Sequence, residues 1–366
     1  MDSKHVKETN ILNVIAEQTF ENIKYSKKNI DLLENYFEED KDYNTNNAPS
    51  KNPLIDTITV NYIHYKTNYI KVVNFEYKNI AFVINIYTEN FQDNASYIYF
   101  IKLAIICCLR DKNVFKEKIF VKIDLYLTEL KKSLPEISGT RVKKEHTKSG
   151  YSIFDNNIYI CIYRKEEWFK YILQELFFAF TIDLETNNIN YKNILKNNIY
   201  IKDDFIMTNS FIEFFSRLFN ISVFLYFEKG VTELEPFKRE YRKMFLKEKK
   251  FSITQTEKIF NHFGISYSDI IKKENEEFLI NTYKDESDLL TYFLIPSIMF
   301  IHYQRIIQWV NFDNNTFFNI KKGERELVIL THYIAHCSKN DETLKFYADA
   351  SSKKYDKNIK YCYHRI

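Results

Sequence analysis

The segment Ile158-Tyr-Ile-Cys-Ile-Tyr-Arg-Lys-Glu-Glu-Trp-Phe-Lys-Tyr-Ile-Leu-Gln-Glu-Leu-Phe-Phe-Ala-Phe180 changes its hydrophobic period half-way along. Ile158–Tyr163 is β-branched and aromatic and reads as a strand. After Lys165 the apolar residues recur at helical spacing, with Leu173, Leu176, Phe177 and Phe180 on one stripe, so the strand feeds directly into a helix over Lys165–Phe180. Working towards the N-terminus, Ile55–Tyr87 is a stretch of β-branched and aromatic runs that reads as paired strands, notably Ile70–Tyr77 and Ile80–Tyr87, separated by Lys78-Asn79. Tyr97–Arg110 predicts a buried helix, and the alternation of Ile119, Val121, Ile123 and Leu125 predicts a strand within Lys118–Leu127. Residues Ile11–Phe37 predict one or two amphipathic helices, Glu38–Pro53 a polar linker, and Leu134–Gly150 a loop. Towards the C-terminus, helices are expected at Thr208–Phe219, Lys238–Lys249, Thr254–Phe263, Leu289–Val310 and Arg325–Cys337, with a short hydrophobic element at Ile199–Ile201. The reading is an α+β fold: a small mixed sheet packed on helices, followed by a mainly helical C-terminal half. Three successive regions are expected, at 1–53, 54–230 and 231–366.

Composition narrows the chemistry. The 366 residues suffice for a large core without disulfide or metal staples. With only 5 Gly and 5 Pro there is no G-x-G-x-x-G or P-loop, so a glycine-rich nucleotide cradle is excluded. A net charge of +3 from interspersed basic and acidic residues is not a nucleic-acid footprint. Abundant Lys, Asn, Ile, Tyr and Phe point to AT-rich codons. The 5 cysteines form no C-x-x-C pair, and a reduced intracellular setting is expected. Cys107-Cys108 lies in an apolar run and reads as two small hydrophobes. The N-terminus has no apolar h-region and no long uninterrupted apolar run is evident, so a soluble chain without a membrane span is expected.

In an HExxH zinc peptidase, two His at i and i+4 on one helix face bind the metal while the Glu between them is the general base. On that template Gln174 and Phe178 hold the His positions and Glu175 holds the base position. A third ligand in one branch of such enzymes is a Glu on a following helix, and Glu213 stands where it is expected. Gln is a poor zinc ligand and Phe is none, so the metal should not be held. The bland alternative makes Gln174 and Glu175 the polar edge of an ordinary core helix.

The chain resembles the HExxH metallopeptidase-like proteins of giant, nucleocytoplasmic large DNA viruses. The resemblance rests on Leu130-Lys-Lys-Ser-Leu-Pro135, His146-Thr-Lys-Ser-Gly-Tyr151, Ile160-Cys-Ile-Tyr-Arg-Lys-Glu-Glu-Trp-Phe-Lys170, the altered Gln174-Glu175 helix and Glu213, over about residues 118–220. It implies a zincin-like core in which Glu175 matches the catalytic Glu and Glu213 matches the third ligand. With both His lost, it implies a pseudoenzyme without cofactor or bound metal. Such a chain would serve as a structural or interaction component binding other proteins, in the virion or the infected-cell cytoplasm. Nucleic acid is not an expected partner. The alternative is an active zinc hydrolase using Glu175, Glu213 and His146. His332 and His336, at i and i+4 beside Cys337, are a further weak metal candidate, read more simply as helix-face residues near a C-terminus.

Overall fold

A computed structural model describes residues 3–33, 37–42, 55, 57–89, 94–184, 190–201, 205–311, 318–351, 355–364 and 366. The chain folds into two compact units that interleave along the sequence. The first, here the sheet unit, comprises Glu21–Lys131, Lys148–Thr181 and Arg365–Ile366; the helical unit comprises Met1–Phe20, Lys132–Thr147 and Ile182–His364.

In the sheet unit the strands are β1 (Phe37–Asp42), β2 (Tyr69–Tyr77), β3 (Ile80–Thr88), β4 (Ile119–Tyr126), β5 (Gly150–Phe154) and β6 (Ile158–Ile162). The helices are the end of α1 (Ser3–Lys28), α2 (Thr57–Lys66) and α3 (Ala95–Leu109). The strands form one mixed sheet in the order β1-β2-β3-β4-β6-β5. β3, β4 and β6 run parallel, while β1, β2 and β5 are antiparallel to their neighbours. The parallel β3–β4 pair needs a crossover, which α3 supplies. Register puts Ile84, Ile123 and Ile160 in one row and Ile86, Leu125 and Ile162 in the next, all buried on one face. Lys78 and Asn79 turn the β2–β3 hairpin with φ of 52° and 65°, the left-handed pair that a two-residue turn requires. The Lys78 ammonium also donates to the carbonyls of Leu109, Arg110 and Lys112 at 2.5–2.9 Å. A cation thus closes the C-terminal end of α3.

Three expectations need correction here. Phe37, expected to end a helical stretch, and residues 38–42, expected as linker, form edge strand β1 paired with β2; the linker residues 43–53 lie outside the described residues. Thr57–Lys66 is a helix despite β-branched and aromatic residues, because packing of Ile63 against Tyr87, Tyr126 and Tyr163 outweighs weak propensity. The loop expected to end at Gly150 gives way there to strand β5.

The helical unit holds α4 (Lys144–Thr147), α6 (Asn190–Lys196), α7 (Met207–Val223), α8 (Leu234–Phe263), α9 (Tyr267–Ile270) and α10 (Glu276–Thr282). It continues with α11 (Ile295–Ile301), α12 (Tyr303–Asn311), α13 (Glu324–Ser338) and α14 (Asp341–Ser351), while β7 (Ile182–Leu184) and β8 (Ile320–Lys322) pair in parallel. In the sheet unit α5 (Trp168–Leu176) completes the helices. Every residue of α7 except Asn209 is buried. Met207–Glu228 is long and apolar enough to cross a bilayer, and 89% of its apolar window is buried in the protein. Glu213 and Arg217 interrupt the stretch, and its buried fraction marks a core helix, consistent with the absence of a membrane span expected from the sequence. The two helices expected at Lys238–Lys249 and Thr254–Phe263 are one continuous α8, since no Gly or Pro lies between Pro236 in its first turn and Gly264, which ends it at φ 66°. The single helix expected over Leu289–Val310 is instead a π turn (Leu290–Leu294), α11 and α12; Pro296 lacks the N–H needed for an unbroken ladder. Ile199–Ile201 is buried chain without a regular element.

Candidate functional site

The turn from β6 into α5 is built from short-range polar contacts. The Thr128 hydroxyl donates to the Tyr163 carbonyl, and the Lys165 N–H donates to the Thr128 carbonyl at 2.9 Å. The Lys165 ammonium binds the Glu129 carboxylate at 3.1 Å, and this contact holds its pKa above the ordinary lysine value. Glu167, which precedes the first turn of α5, has φ 63°. A non-glycine residue there costs on the order of 1 kcal/mol and persists only where surrounding contacts fix it. The indole N–H of Trp168 donates to the Ile366 carbonyl at 3.1 Å.

All nine residues of α5 are buried. The side-chain oxygen of Gln174 accepts from the Lys170 ammonium at 3.0 Å, one turn earlier. Glu175 accepts from the Ser152 hydroxyl of β5, and the Tyr171 hydroxyl donates to the Gly150 carbonyl at 2.8 Å. Gly150 permits this approach. A Cβ there would stand 2.3 Å from the Cys161 carbonyl oxygen and 3.1 Å from a Tyr171 ring carbon. The next five residues, Phe177–Thr181, form a π turn. The two template positions have unlike surroundings. Gln174 is 7% exposed, whereas Phe178 is 41% exposed with its ring 4.6 Å from that of Phe154 on β5.

The chemistry of this group follows from its parts. It offers one carboxylate already engaged by a hydroxyl, an amide engaged by an ammonium, and a phenyl ring. Lys170 is 1% exposed, and a buried ammonium beside the amide repels a dication brought to the same place. Imidazole nitrogen, the usual zinc donor with an open coordination position, is missing from both template positions.

Glu213 lies on α7 in the helical unit and is fully buried, while Glu175 belongs to the sheet unit. Neither unit by itself brings the two carboxylates together. His146, in the helical unit, accepts the Lys143 backbone N–H on Nδ1 at 3.0 Å. His332 and His336 are exposed on α13. Cys337 beside them is buried, which pushes its thiol up to about 11 and keeps it protonated at neutral pH. Among the described residues no group of three or more His, Cys, Asp or Glu is placed to hold a metal ion.

Sequence reading missed a polar cluster on the opposite face of the sheet. Asp124, 2% exposed, accepts from Asn85 at 2.7 Å and from the Tyr159 hydroxyl at 2.7 Å, with the Lys122 ammonium at 3.2 Å. These neighbours satisfy the buried carboxylate. Burial pushes the adjacent Cys161 thiol up to about 12 and raises the Tyr159 phenol, so neither is a ready nucleophile at neutral pH. The available signal was the alternation in β4, which sends Lys122, Asp124 and Tyr126 to the face opposite Val121, Ile123 and Leu125.

No family model, curated protein or solved structure matches the chain.

Proposed function

We propose that the chain is a catalytically inactive relative of zinc metallopeptidases, with a zincin-like sheet unit, that works by binding other proteins as a structural or interaction component of a giant-virus particle or virus factory. The observation that carries this reading is Phe178. At a position where the enzyme template needs an imidazole, the chain has a phenyl ring, turned out on a π turn and packed at 4.6 Å on Phe154 of edge strand β5.

That edge also supplies a means of binding. β5 ends the six-stranded sheet, and Ile153 and Phe154 are 45% and 38% exposed. An edge strand presents backbone N–H and C=O groups along its open side, and an extended segment of another protein can add to it as a further strand. The exposed Ile153, Phe154 and Phe178 would supply apolar contacts to alternate side chains of that segment. The engagement of Glu175 by Ser152 and of Gln174 by Lys170 supports binding without hydrolysis.

Metal content of the purified full chain, measured by mass spectrometry after zinc incubation and desalting, tests the reading. The expected result is far less than one zinc per chain. Stoichiometric zinc that is lost in Glu213→Ala would overturn it in favour of the active hydrolase.

A further inference from the structure

The helical unit contains a cavity of about 720 Å³ between α12, β8 and α13. We propose that it binds a nucleotide-sized phosphate ester, with the phosphate on Arg305 and Arg325 and the planar base beside Trp309. This inference uses none of the residues around α5 and β5 and stands independently of the protein-binding reading.

Charge sets the ligand's sign. Arg305, Lys322 and Arg325 line the cavity with Glu326 as the only carboxylate among the described lining residues, so cations outnumber anions three to one. Arg305 and Arg325 are exposed and make no hydrogen bond or ion pair with the described residues, which leaves both guanidinium forks available. A guanidinium presents parallel N–H donors that match two oxygens of one phosphate.

Shape and polarity set the rest of the ligand. Trp309 is half-buried, with the Lys322 ammonium 5.1 Å from its ring centroid and Phe211 edge-on at 5.5 Å. The indole is therefore held from inside the unit while part of it lines the cavity. Tyr333 adds a second ring to the lining. A pocket of this size suits a small organic ligand, and aromatic walls with a few cations favour a body that stacks and a head that is anionic. Inorganic phosphate alone would leave the aromatic wall unused, and a neutral nucleoside would leave the guanidinium groups unused. The backbone here has no glycine-rich cradle, so side chains rather than main-chain N–H groups would carry recognition.

Isothermal titration of the full chain at low salt tests this, with adenosine 5′-monophosphate, inorganic phosphate and adenosine as separate probes. The expected result is saturable binding of the monophosphate with a Kd of about 1 mM or tighter, at least about tenfold tighter than either fragment. Arg305→Gln and Arg325→Gln should each weaken it about tenfold, the loss expected for one charge-assisted contact. Both side chains are exposed, so the variants should keep the parent unfolding midpoint, checked by circular dichroism. No saturation by the monophosphate, phosphate binding as tightly as the nucleotide, or a double variant that binds like the parent would each overturn the proposal.

Discussion

Glu257 on α8 is 2% exposed, and burial pushes its carboxyl up to about 7 from the 4.5 of a solvated glutamate. Burial raises the phenols of Tyr347 and Tyr355 and the Glu257 charge adds to both, so these are titratable groups that face it. Replacing it with glutamine keeps shape and removes the titration. The folded protein holds this proton more tightly than the unfolded chain. Its stabilising contribution is thus fully present below about pH 4.5, falls as pH rises towards 7, and is lost above that. At about 1.36 kcal/mol per tenfold change in proton affinity, the shift corresponds to about 3 kcal/mol. Urea unfolding of the parent and of Glu257→Gln, followed by circular dichroism between pH 5 and pH 8, isolates this contribution because all other groups are common to both. The two proteins should be nearly equal at the acid end, and the variant should be more stable by up to about 3 kcal/mol at the alkaline end. A difference that does not change with pH, or a variant that is weaker at pH 8, refutes the assignment of a neutral buried carboxyl.

Two further outcomes follow from the packing. Gly150→Ala would place a methyl group 2.3 Å from the Cys161 carbonyl oxygen; it should cost about 1–3 kcal/mol and speed amide exchange across β5, and unchanged protection of residues 150–154 would show that the strand absorbs the methyl freely. Arg217 and Glu248, each 1% exposed and paired at 2.7 Å, form a buried ion pair; Glu248→Ala should lose about 3–5 kcal/mol, while Arg217→Met with Glu248→Leu should recover most of it. A loss under about 1 kcal/mol in the single variant would mean that the guanidinium finds other partners there.

Elements with strong periodicity were legible in the sequence. β3, α3, β4, β6 and α7 lie within a residue or a few of their expected bounds, because each buries a whole face and its apolar pattern records that burial. β1, with its Glu and Asp residues, carries no such record, since an edge strand can be polar. α2 has the composition of a strand and takes its form from what it packs against. Around the candidate site, residues 174–178 read as a regular i to i+4 pair. Spacing does not encode the contacts that distinguish them, Gln174 with Lys170 in the interior and Phe178 with Phe154 at the surface. The Asp124 cluster was hidden for a similar reason: its members are far apart in sequence and meet only through strand register. No change of composition marks where the chain passes between the two units.

The burial of α7 has a consequence for how the protein is made. During synthesis Met207–Val223 emerges from the ribosome before α11 does, yet α8 and α11 supply Phe245 and Phe300, and Phe300 packs at 4.8 Å on Phe214. Until α11 has emerged in turn, a segment apolar enough to pass for a membrane span lacks part of its eventual cover. Nascent chains stalled after α7 has emerged and before α11 has should therefore recruit holding chaperones or precipitate, and release from that hazard should come with the emergence of α11.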